Sequence, residues 1–451
     1  MVLLCLKDFI NLKSLAYIRP PQTKSMSKKI VVIEGCRTPF LRSGTDYMDL
    51  MSYQLGQFAI KGLLDKTGID PKIVDYVVMG TTIQNVKTGN VAREAALTAG
   101  IPNSTPCHTV TMACISANQA IVTGANIILS GQAEVVIAGG TDSCSDAPIL
   151  FNRPMRKKLF KAQKLKGFAD TLKFVLGLRP KDFVPEAPAI AEFLTNKSMG
   201  LDCDILAARY SVPREEQDKF ATRSHQLTAK AFENGLLTDE VVPVEVAPNF
   251  KKISKDNGYR GDTTVDKMAK LKPAFVKNGG TITAANASFL TDGAAVVLIM
   301  TEDKAKELGL KPKTAIHSYT FVAADLEKEL LLGPTYATSK LLKQTGLSFS
   351  DIDVFEFHEA FAGQVLANLK CMASDDFAKQ NLGRDKAIGV VPMDKLNTWG
   401  GSLAIGHPFG ATGARLVTTA SNRLHKENGK YALITACAAG AHGHAMILEK
   451  L

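Results

Sequence analysis

Residues 63–79 read LLDKTGIDPKIVDYVVM, and residues 341–357 read LLKQTGLSFSDIDVFEF. Aligned without gaps, the two stretches share two leucines, a Thr-Gly pair and an aspartate. Each is typical of a helix end, a glycine turn and a buried strand. Residues 121–140 and 416–437 form a second pair, in which a helix and a glycine-containing turn precede an apolar strand. The repeats predict two similar α/β halves with mainly parallel strands.

The repeat also predicts where the domains begin and end. The stretch between the halves matches neither copy and is expected to form an inserted loop subdomain. Because the halves match, their loops should meet about a pseudo-twofold axis, so that Cys114 and His407, which precede corresponding helices, face one site. The predicted units are a presequence at 1–29, an N-terminal domain at 30–145 plus 275–303, the insert at 146–274 and a C-terminal domain at 304–451.

The positive charge of the chain, formally +10, is concentrated in two segments. Residues 1–29 carry six Lys or Arg against one acid, and residues 153–181 carry ten against one. These segments have net charges of +5 and +9, so the rest of the chain has a net charge of −4. A mildly acidic body argues against general nucleic-acid binding, and no nucleic-acid partner is expected.

The two basic segments predict different things. Residues 1–29 are apolar, hydroxyl-containing and poor in acids, which is typical of a mitochondrial presequence, with a disordered basic arm as the alternative. In residues 153–181, apolar side chains recur at the helical period from Leu165 to Leu176, while Lys157 and Lys161 fall on another face. Such a helix predicts contact with an anionic membrane or a partner subunit. The alternative is a solvated face packed on the protein.

Composition excludes several other classes of protein. Hydrophobic residues are 45% and charged residues 22%, as in ordinary globular proteins. Eight scattered cysteines without a Cys-x-x-Cys pair favour a reducing compartment over a disulfide scaffold or a zinc ribbon. No apolar run approaches the roughly 20 residues that a membrane-spanning helix needs.

Two motifs carry a candidate nucleophile and base. Cys114 lies in HTVTMACISANQAI (108–121), where a strand-like run meets a small-residue helix. A thiol at a helix N-terminus is expected to have a lowered pKa, and a buried structural cysteine is the alternative. His407 lies in NTWGGSLAIGHPFGATGAR (397–415), whose glycines predict close approach of backbone to a ligand. A histidine in such a loop can act as general base for a thiol.

Cys437 and His358 are the other candidates. Cys437 ends an apolar strand and opens CAAGAHGHA (437–445), a turn suited to N–H donors facing an oxyanion. His358 follows a buried strand, and strand ends of parallel sheets are where ligands bind; a satisfied core histidine is the alternative. A metal held by Cys437, His442 and His444 would lack a fourth ligand and a usual zinc spacing, so no metal is expected.

Together these motifs resemble those of the thiolase family. The His407 loop is similar to the Gly-His-Pro signature of thiolases, and the Cys114 and Cys437 loops are similar to their two cysteine loops. TAANASFLTDGAA (283–295) is similar to their pantetheine-contacting stretch. The resemblance runs from about residue 30 to the last residue given. His358 stands where most thiolases carry Asn, and this form with a basic insert resembles the long-chain 3-ketoacyl-CoA thiolases of mitochondria.

The resemblance implies a fold of duplicated βαβαβαββ domains with a five-layered α/β/α/β/α core. It implies CoA-dependent cleavage of long-chain 3-ketoacyl-CoA in fatty acid β-oxidation through an acyl-cysteine, with CoA as cosubstrate and no tightly bound cofactor. The implied roles are Cys114 as nucleophile, His407 as its base, and Cys437 as acid and base. The implied oxyanion donors are His407 with His358, directly or through a water, and the N–H groups of Cys114 and Ala439. Ser288 is the implied pantetheine contact.

The resemblance also implies partners and a location. These are a homodimeric core in a hetero-oligomer with a hydratase/dehydrogenase α subunit, and the matrix side of the mitochondrial inner membrane, contacted through residues 153–181. Two departures from the family pattern bear on the site. Ala439 replaces a common Gly but keeps its N–H, whereas Ala441 and His442 replace a Gly-Gln pair and are expected to narrow the acyl tunnel or shift the pKa of Cys437.

Two alternatives to a degradative thiolase remain open. A membrane-docked assembly subunit with weakened catalysis is favoured by the Ala441 and His442 changes, and disfavoured by the intact cysteines and histidines. A related condensing ketoacyl synthase would use two histidines with one cysteine, and Cys437 argues against it.

Overall fold

The computed structural model describes residues 28–188 and 190–451. Of the predicted presequence, residues 1–27 lie outside this range. The strands are β1 (Ile30–Arg37), β2 (Leu41–Arg42), β3 (Tyr76–Gly80), β4 (Cys107–Val110), β5 (Val135–Asp142), β6 (Leu150–Phe151), β7 (Pro185–Glu186), β8 (Val244–Val246), β9 (Lys251–Ile253), β10 (Thr291–Thr301), β11 (Thr314–Ala323), β12 (Val354–Phe357), β13 (Tyr431–Ala438) and β14 (His442–Lys450). The α-helices are α1 (Ser52–Thr67), α2 (Val91–Thr98), α3 (Ser116–Leu129), α4 (Arg153–Ala162), α5 (Gly167–Leu176), α6 (Met199–Arg209), α7 (Arg214–Glu233), α8 (Val265–Ala269), α9 (Glu302–Glu307), α10 (Gly333–Thr345), α11 (Ala362–Met372), α12 (Asp375–Phe377), α13 (Ser402–Ile405) and α14 (Thr412–Lys426).

Ten strands form one sheet in the order β12-β13-β14-β11-β1-β10-β5-β3-β4, with β2 paired beside β10. β1 and β11 pair antiparallel in its middle, with Val31 opposite Ala315, and there the two halves meet. At the far end, Phe355 of β12 makes a parallel bridge to Leu396, in the place that β4 takes in the other half. The order of elements is therefore duplicated about the centre of the sheet.

The α/β fold class is confirmed, and the arrangement of strand directions adds one detail. Within each half, the strands run the same way except for one, β10 in the first half and β14 in the second. Each reversed strand lies inside its half rather than at an edge. Each reversed strand is antiparallel to every strand that it pairs with, so antiparallel pairings outnumber parallel ones although most strands of a half run the same way.

The helices complete the predicted five layers. α1 and α2 cover the outer face of the first half of the sheet, and α10 and α11 cover the outer face of the second. α3 and α14 pack against each other between the two half-sheets. One apolar cluster joins these layers, with Ile121 of α3, Val136 of β5, Val417 of α14 and Ile434 of β13. The loops that precede α3 and α14 therefore both lead into helices of the same central layer.

The sequence repeat corresponds to repeated structure. α1 ends at Gly68 and α10 at Gly346, both in the left-handed conformation, with φ of 67° and 73°. The Asp75 carboxylate accepts the N–H of Val135 at the start of β5, at 2.9 Å. The Asp353 carboxylate accepts backbone N–H groups at the start of β13, the nearest at 2.7 Å. The aligned aspartates thus fix corresponding strands.

Residues 146–274 add no described strand to the central sheet, since β6–β9 form two separate ribbons. The domain boundaries stay a prediction. Of the apolar stripe predicted from Leu165 to Leu176, the part from Phe168 onward lies on α5, whereas Lys157 and Lys161 lie on a separate helix, α4, so the basic and apolar faces do not belong to one helix. Phe168 and Leu176 of α5 are 81% and 77% exposed, so the alternative of a face packed on the protein is wrong for α5. No helix within the described ranges has the length and apolar character needed to cross a membrane.

Candidate active site

The four candidate side chains lie where core elements begin or end. Cys114 precedes α3 by two residues, and His407 lies in the short loop between α13 and α14. His358 directly follows β12, and Cys437 lies one residue before the end of β13. The core therefore fixes the backbone of each candidate.

One cavity of about 420 Å³ brings three of these side chains together. We call it the two-thiol cavity, because it is lined by Cys114 and Cys437, together with His407. Ser288 and Ala439, expected to contact pantetheine and an oxyanion, line the same cavity. The structure thus joins Cys114 and His407, which the repeat predicted to face one site.

A neighbouring apolar cavity of about 380 Å³ also reaches Cys114. It shares Ile190, Met199, Leu290 and Phe409 with the two-thiol cavity. Away from the shared wall, its lining includes Ile83, Ala147, Pro148 and Pro188. The thiol of Cys114 therefore lies where the two-thiol cavity meets a second cavity, and the walls of both are mainly apolar.

Three chain segments are joined by hydrogen bonds around the two-thiol cavity. The Ser288 N–H donates to the Ala360 carbonyl at 2.9 Å, which ties the 283–295 stretch to the chain just after His358. The His407 N–H donates to the Thr291 hydroxyl at 3.0 Å. The predicted pantetheine stretch is thus bound to the backbone of both histidine loops.

His407 is held by a hydroxyl five residues further along the chain. Its Nδ1 lies 2.6 Å from the Thr412 hydroxyl oxygen, and this hydroxyl donates to the Pro408 carbonyl at 3.1 Å. Because a hydroxyl has a single hydrogen, Thr412 then accepts from Nδ1, and the network assigns the proton of the neutral ring to Nδ1. Nε2 of His407 keeps a lone pair and has no protein partner in the described ranges. This is the atom that a general base needs.

His358 lies against His407 but is not among the residues lining the two-thiol cavity. The centroids of the two rings are 4.0 Å apart. His358 is 1% exposed, and its Nδ1 lies 3.1 Å from the Ser402 hydroxyl oxygen. Its Nε2 finds no hydrogen-bond partner among the described residues. The alternative of a satisfied core histidine therefore accounts for one ring nitrogen and leaves the other unexplained.

Burial controls the pKa of both thiols. It raises the pKa of the Cys114 thiol to about 12, although the Ala439 N–H donates to the sulfur and lowers it. The expected lowering by the start of α3 is wrong in direction, because desolvation of a thiolate outweighs the available donors. Burial, with the nearby Cys114 as a smaller cause, also raises the pKa of Cys437. Both groups are thiols at neutral pH.

The two histidines are neutral as well. Burial and then the charge of Arg415 lower the pKa of His407 to about 3. Burial, then His407 and Arg415, lower the pKa of His358 well below its ordinary value. In the free protein the thiol proton therefore stays on Cys114 and is not held by His407.

The glycines of the His407 loop serve the packing of the protein itself. A Cβ at Gly413 would collide with Asn118 of α3, and one at Gly401 would collide with the Glu359 carboxylate. Gly406 has a φ of 109°, which residues with a side chain rarely adopt. These three glycines are therefore accounted for by contacts and a turn within the protein, and the expected close approach of a ligand stays a prediction. They let α14 approach α3 and let the chain turn into His407.

The departures near Cys437 lie away from the cavities. Neither Ala441 nor His442 lines the two-thiol cavity or the apolar cavity, and the His442 ring lies beside Gly440. The expected narrowing of the acyl tunnel thus finds no support in the lining. His444 places its Nδ1 3.1 Å from the Thr320 carbonyl. In residues 28–188 and 190–451, no cluster of three or more His, Cys, Asp or Glu side chains could hold a metal.

Residues of two kinds contribute to the site but were not predicted from the sequence. Ser402, Thr412 and Arg415 belong to the His407 motif itself. Ser402 and Thr412 lie five residues before and after His407, and Arg415 lies eight after it, so the sequence did indicate polar groups close to the histidine. Ile190 and Met199 come from the insert, in which no individual site residue was predicted. Nothing in their local sequence indicates that they line a cavity around Cys114.

The chain matches two models of protein families. Residues 30–303 match the family model described as "Thiolase, N-terminal domain", and residues 310–450 match "Thiolase, C-terminal domain". The chain belongs to the thiolase family. It is therefore an acyltransferase, and the resemblance drawn from its motifs is confirmed.

The chain is also similar to individual proteins over nearly its full length. The chain is 52% identical to "Trifunctional enzyme subunit beta, mitochondrial" of Bos taurus, over 99% of this chain and 94% of that protein. It is 54% identical to the protein of that name from Homo sapiens, over 94% and 88%. The solved human mitochondrial 3-ketoacyl-CoA thiolase in complex with CoA superposes with a TM-score of 0.79 at 32% identity, covering 94% of this chain and 98% of that one. The acetyl-CoA acetyltransferase of Bacillus anthracis gives 0.80 at 32%, covering 94% and 99%.

Proposed function

We propose that this chain cleaves long-chain 3-ketoacyl-CoA with CoA, to give acetyl-CoA and an acyl-CoA shortened by two carbons, in fatty acid β-oxidation. The observation that carries the proposal is the pair of thiols on one cavity with a neutral imidazole. Thiolysis needs a nucleophile that carries the acyl group and a second group that moves protons at the leaving carbon. Cys114 and Cys437 supply these two functions. A ketoacyl synthase would have no use for the second thiol.

In the first half of the proposed reaction, the Cys114 sulfur attacks the 3-keto carbon while Nε2 of His407 takes the thiol proton. The bond between carbons 2 and 3 then breaks. The acyl group stays on Cys114 as a thioester, and the enolate of acetyl-CoA takes a proton from Cys437. Burial suits Cys437 to this step, because a thiol is the form that can donate. The oxyanion would be stabilised by N–H donors, among them Ala439.

In the second half, the Cys437 thiolate takes the proton of the incoming CoA thiol. The CoA thiolate attacks the acyl thioester and displaces the Cys114 thiolate, which recovers its proton from His407. The acyl-CoA leaves, and both cysteines are thiols again. Ser288, on the wall of the two-thiol cavity, is the proposed pantetheine contact.

The apolar cavity supports a long acyl chain as substrate. It meets the two-thiol cavity at Cys114, so an acyl group attached to this sulfur can extend into it. Its apolar walls would remove methylene groups from water, at about 0.8 kcal/mol for each one buried. A longer chain that stays within the cavity therefore binds more tightly.

A thiolysis assay on 3-ketoacyl-CoA substrates from short to long chain tests this proposal. We expect activity to rise with chain length, and Cys114→Ser to abolish it at every length. A Cys114→Ser protein that still cleaves the substrates would refute the nucleophile assignment. Activity confined to the shortest substrate would refute the long-chain assignment while leaving the thiolase reaction intact.

We also propose that this thiolase is mitochondrial and works as a homodimeric core with a hydratase/dehydrogenase α subunit, on the matrix side of the inner membrane. The names of its relatives support the mitochondrial location and assembly with another subunit. The membrane contact is supported by α5, whose apolar side chains are exposed, and by the neighbouring basic α4. Co-purification with the α subunit, and loss of vesicle binding when residues 153–181 are deleted, are the expected results.

A further inference from the structure

Ser402 connects a buried arginine to the second histidine. The Nη2 group of Arg415 donates to the Ser402 hydroxyl oxygen at 2.7 Å. The same oxygen lies 3.1 Å from Nδ1 of His358. Ser402 and Arg415 are both fully buried. The three side chains form one line of contacts that ends at the ring beside His407.

The line of contacts assigns the proton of His358. Arg415 can only donate, so the Ser402 oxygen accepts from it. The hydroxyl hydrogen of Ser402 then has one available acceptor among the described residues, Nδ1 of His358. A neutral imidazole whose Nδ1 accepts carries its proton on Nε2. That is the opposite of the assignment for His407, where the Thr412 hydroxyl accepts from Nδ1.

We propose that Ser402 and Arg415 are positioning residues that hold His358 as the tautomer protonated at Nε2, so that His358 donates where His407 accepts. Nε2 of His358 is buried and unpartnered within the described ranges, so its N–H is free to donate to an oxygen of the substrate through a water, because His358 itself does not line the two-thiol cavity. The catalytic part of this inference rests on the proposed thiolase reaction. The tautomer itself does not, because it exists in the free protein.

The charges around His358 favour the neutral ring. Besides His407, the charged group acting on it is Arg415, whose Nη1 lies 3.6 Å from the Glu356 carboxylate. Glu356 also pairs with Arg423 at 2.7 Å, so one buried carboxylate lies between two guanidinium groups. A third positive charge, on His358, would be poorly compensated there. Arg415 thus acts in two ways, by orienting Ser402 and by keeping the His358 ring neutral.

The experiment measures the tautomer directly. The full chain is labelled with ¹⁵N-histidine, and the ring nitrogen signals of His358 are assigned from their loss in His358→Asn. We expect Nε2 to carry the proton in the wild type, and the population to shift toward Nδ1 in Ser402→Ala. Ser402→Cys keeps a weaker donor of similar size and should be intermediate. Ser421→Ala removes another buried hydroxyl, paired with Thr314, and should leave the His358 signals unchanged.

Kinetics with a 3-ketoacyl-CoA give the second readout. Ser402→Ala should lower kcat by roughly 10- to 100-fold with little change in KM, because substrate binding is kept and an oxyanion donor is misdirected. A wild-type proton on Nδ1, an unchanged kcat in Ser402→Ala, or a reduced kcat with an unchanged tautomer would each overturn the inference. If the wild type cleaves no 3-ketoacyl-CoA, the proposed function fails, and the tautomer measurement still decides the assignment of His358.

Discussion

The rings of His358 and His407 lie 4.0 Å apart, and their Nδ1 atoms meet hydroxyl groups that play opposite roles. Thr412 gives its hydrogen to a carbonyl and accepts from His407, whereas Ser402 accepts from Arg415 and gives its hydrogen to His358. Two like side chains in contact are thereby held as opposite tautomers, with Nε2 an acceptor on His407 and a donor on His358. The division of tasks between them is set by the neighbouring hydroxyls.

Thr412→Val tests the base. The variant removes the acceptor of the His407 Nδ1 proton, so the ring can turn or exchange tautomers, and we expect kcat to fall by roughly 10-fold or more. Thr412→Ser keeps the hydroxyl and should stay within about threefold of the wild type. The measurement is steady-state thiolysis with both variants at matched folded content. Equal activity of the Val and Ser variants would show that the hydroxyl does not matter.

Cys437→Ala tests the division of work between the thiols. Without a proton donor for the enolate and a base for incoming CoA, we expect thiolysis to fall by several orders of magnitude and any acyl group on Cys114 to persist. Intact-protein mass spectrometry after mixing with 3-ketoacyl-CoA would detect that adduct. Cys371→Ala is the matched control, because Cys371 is buried and lines neither cavity. Normal turnover by Cys437→Ala would contradict the role assigned to it.

The raised pKa of Cys114 predicts how fast it is alkylated. Iodoacetamide reacts with the thiolate, so with a pKa of about 12 the rate should rise about tenfold per pH unit from pH 7 to pH 10 without reaching a plateau. A thiol activated in the free protein would instead give a plateau near neutral pH. Peptide mapping is needed to follow Cys114 itself, because Cys144 lines the neighbouring apolar cavity. A plateau below pH 9 at Cys114 would refute the account of burial.

The sequence predicted the fold well because the repeat records local structure. Helix ends, glycine turns and strand starts follow from short-range rules, and Asp75 and Asp353 show that even the hydrogen bonds are duplicated. The order of strands in the sheet, with the reversed strand inside each half, did not follow from those rules. It depends on which strands pair at long range, and apolar strands of this kind read alike in sequence.

The site was predicted less completely. Cys114, His407 and Cys437 were found because reactive side chains stand out in short motifs. The direction of the Cys114 pKa was wrong, because burial by distant parts of the chain outweighs the local helix start. Ile190 and Met199 were missed for the same reason, since their place on the cavity wall depends on how the insert packs.

His444 offers a test on stability. Burial lowers its pKa in the folded protein to about 3, below the ordinary value of 6.5, so acid favours the unfolded state that can bind the proton. The contribution of the neutral His444 ring to the free energy of unfolding is intact above pH 6.5. It is lost as the pH falls toward 3, at about 1.4 kcal/mol per pH unit. Between pH 6.5 and pH 5, the free energy of unfolding should therefore fall by about 2 kcal/mol less in His444→Gln than in the wild type. Urea denaturation at both pH values measures this, and His317→Gln, an exposed site, should behave like the wild type. An identical loss in His444→Gln would argue against a neutral buried ring.

The exposed face of α5 makes the proposed membrane contact measurable. Phe168 and Leu176 are 81% and 77% exposed, and inserting such side chains into a lipid interface gains roughly 1.5 to 3 kcal/mol each when they are fully buried. The double variant Phe168→Ser, Leu176→Ser should therefore bind cardiolipin-containing vesicles at least tenfold more weakly, as measured by co-sedimentation. Binding of the wild type should also weaken as the salt concentration is raised, because the basic residues of 153–181 would lie near the lipid phosphates. Phe193→Ser is the matched control, since Phe193 is 94% exposed but lies outside the basic segment. Equal binding by the double variant would rule out α5 as a membrane contact and leave a partner subunit as the remaining occupant of this face.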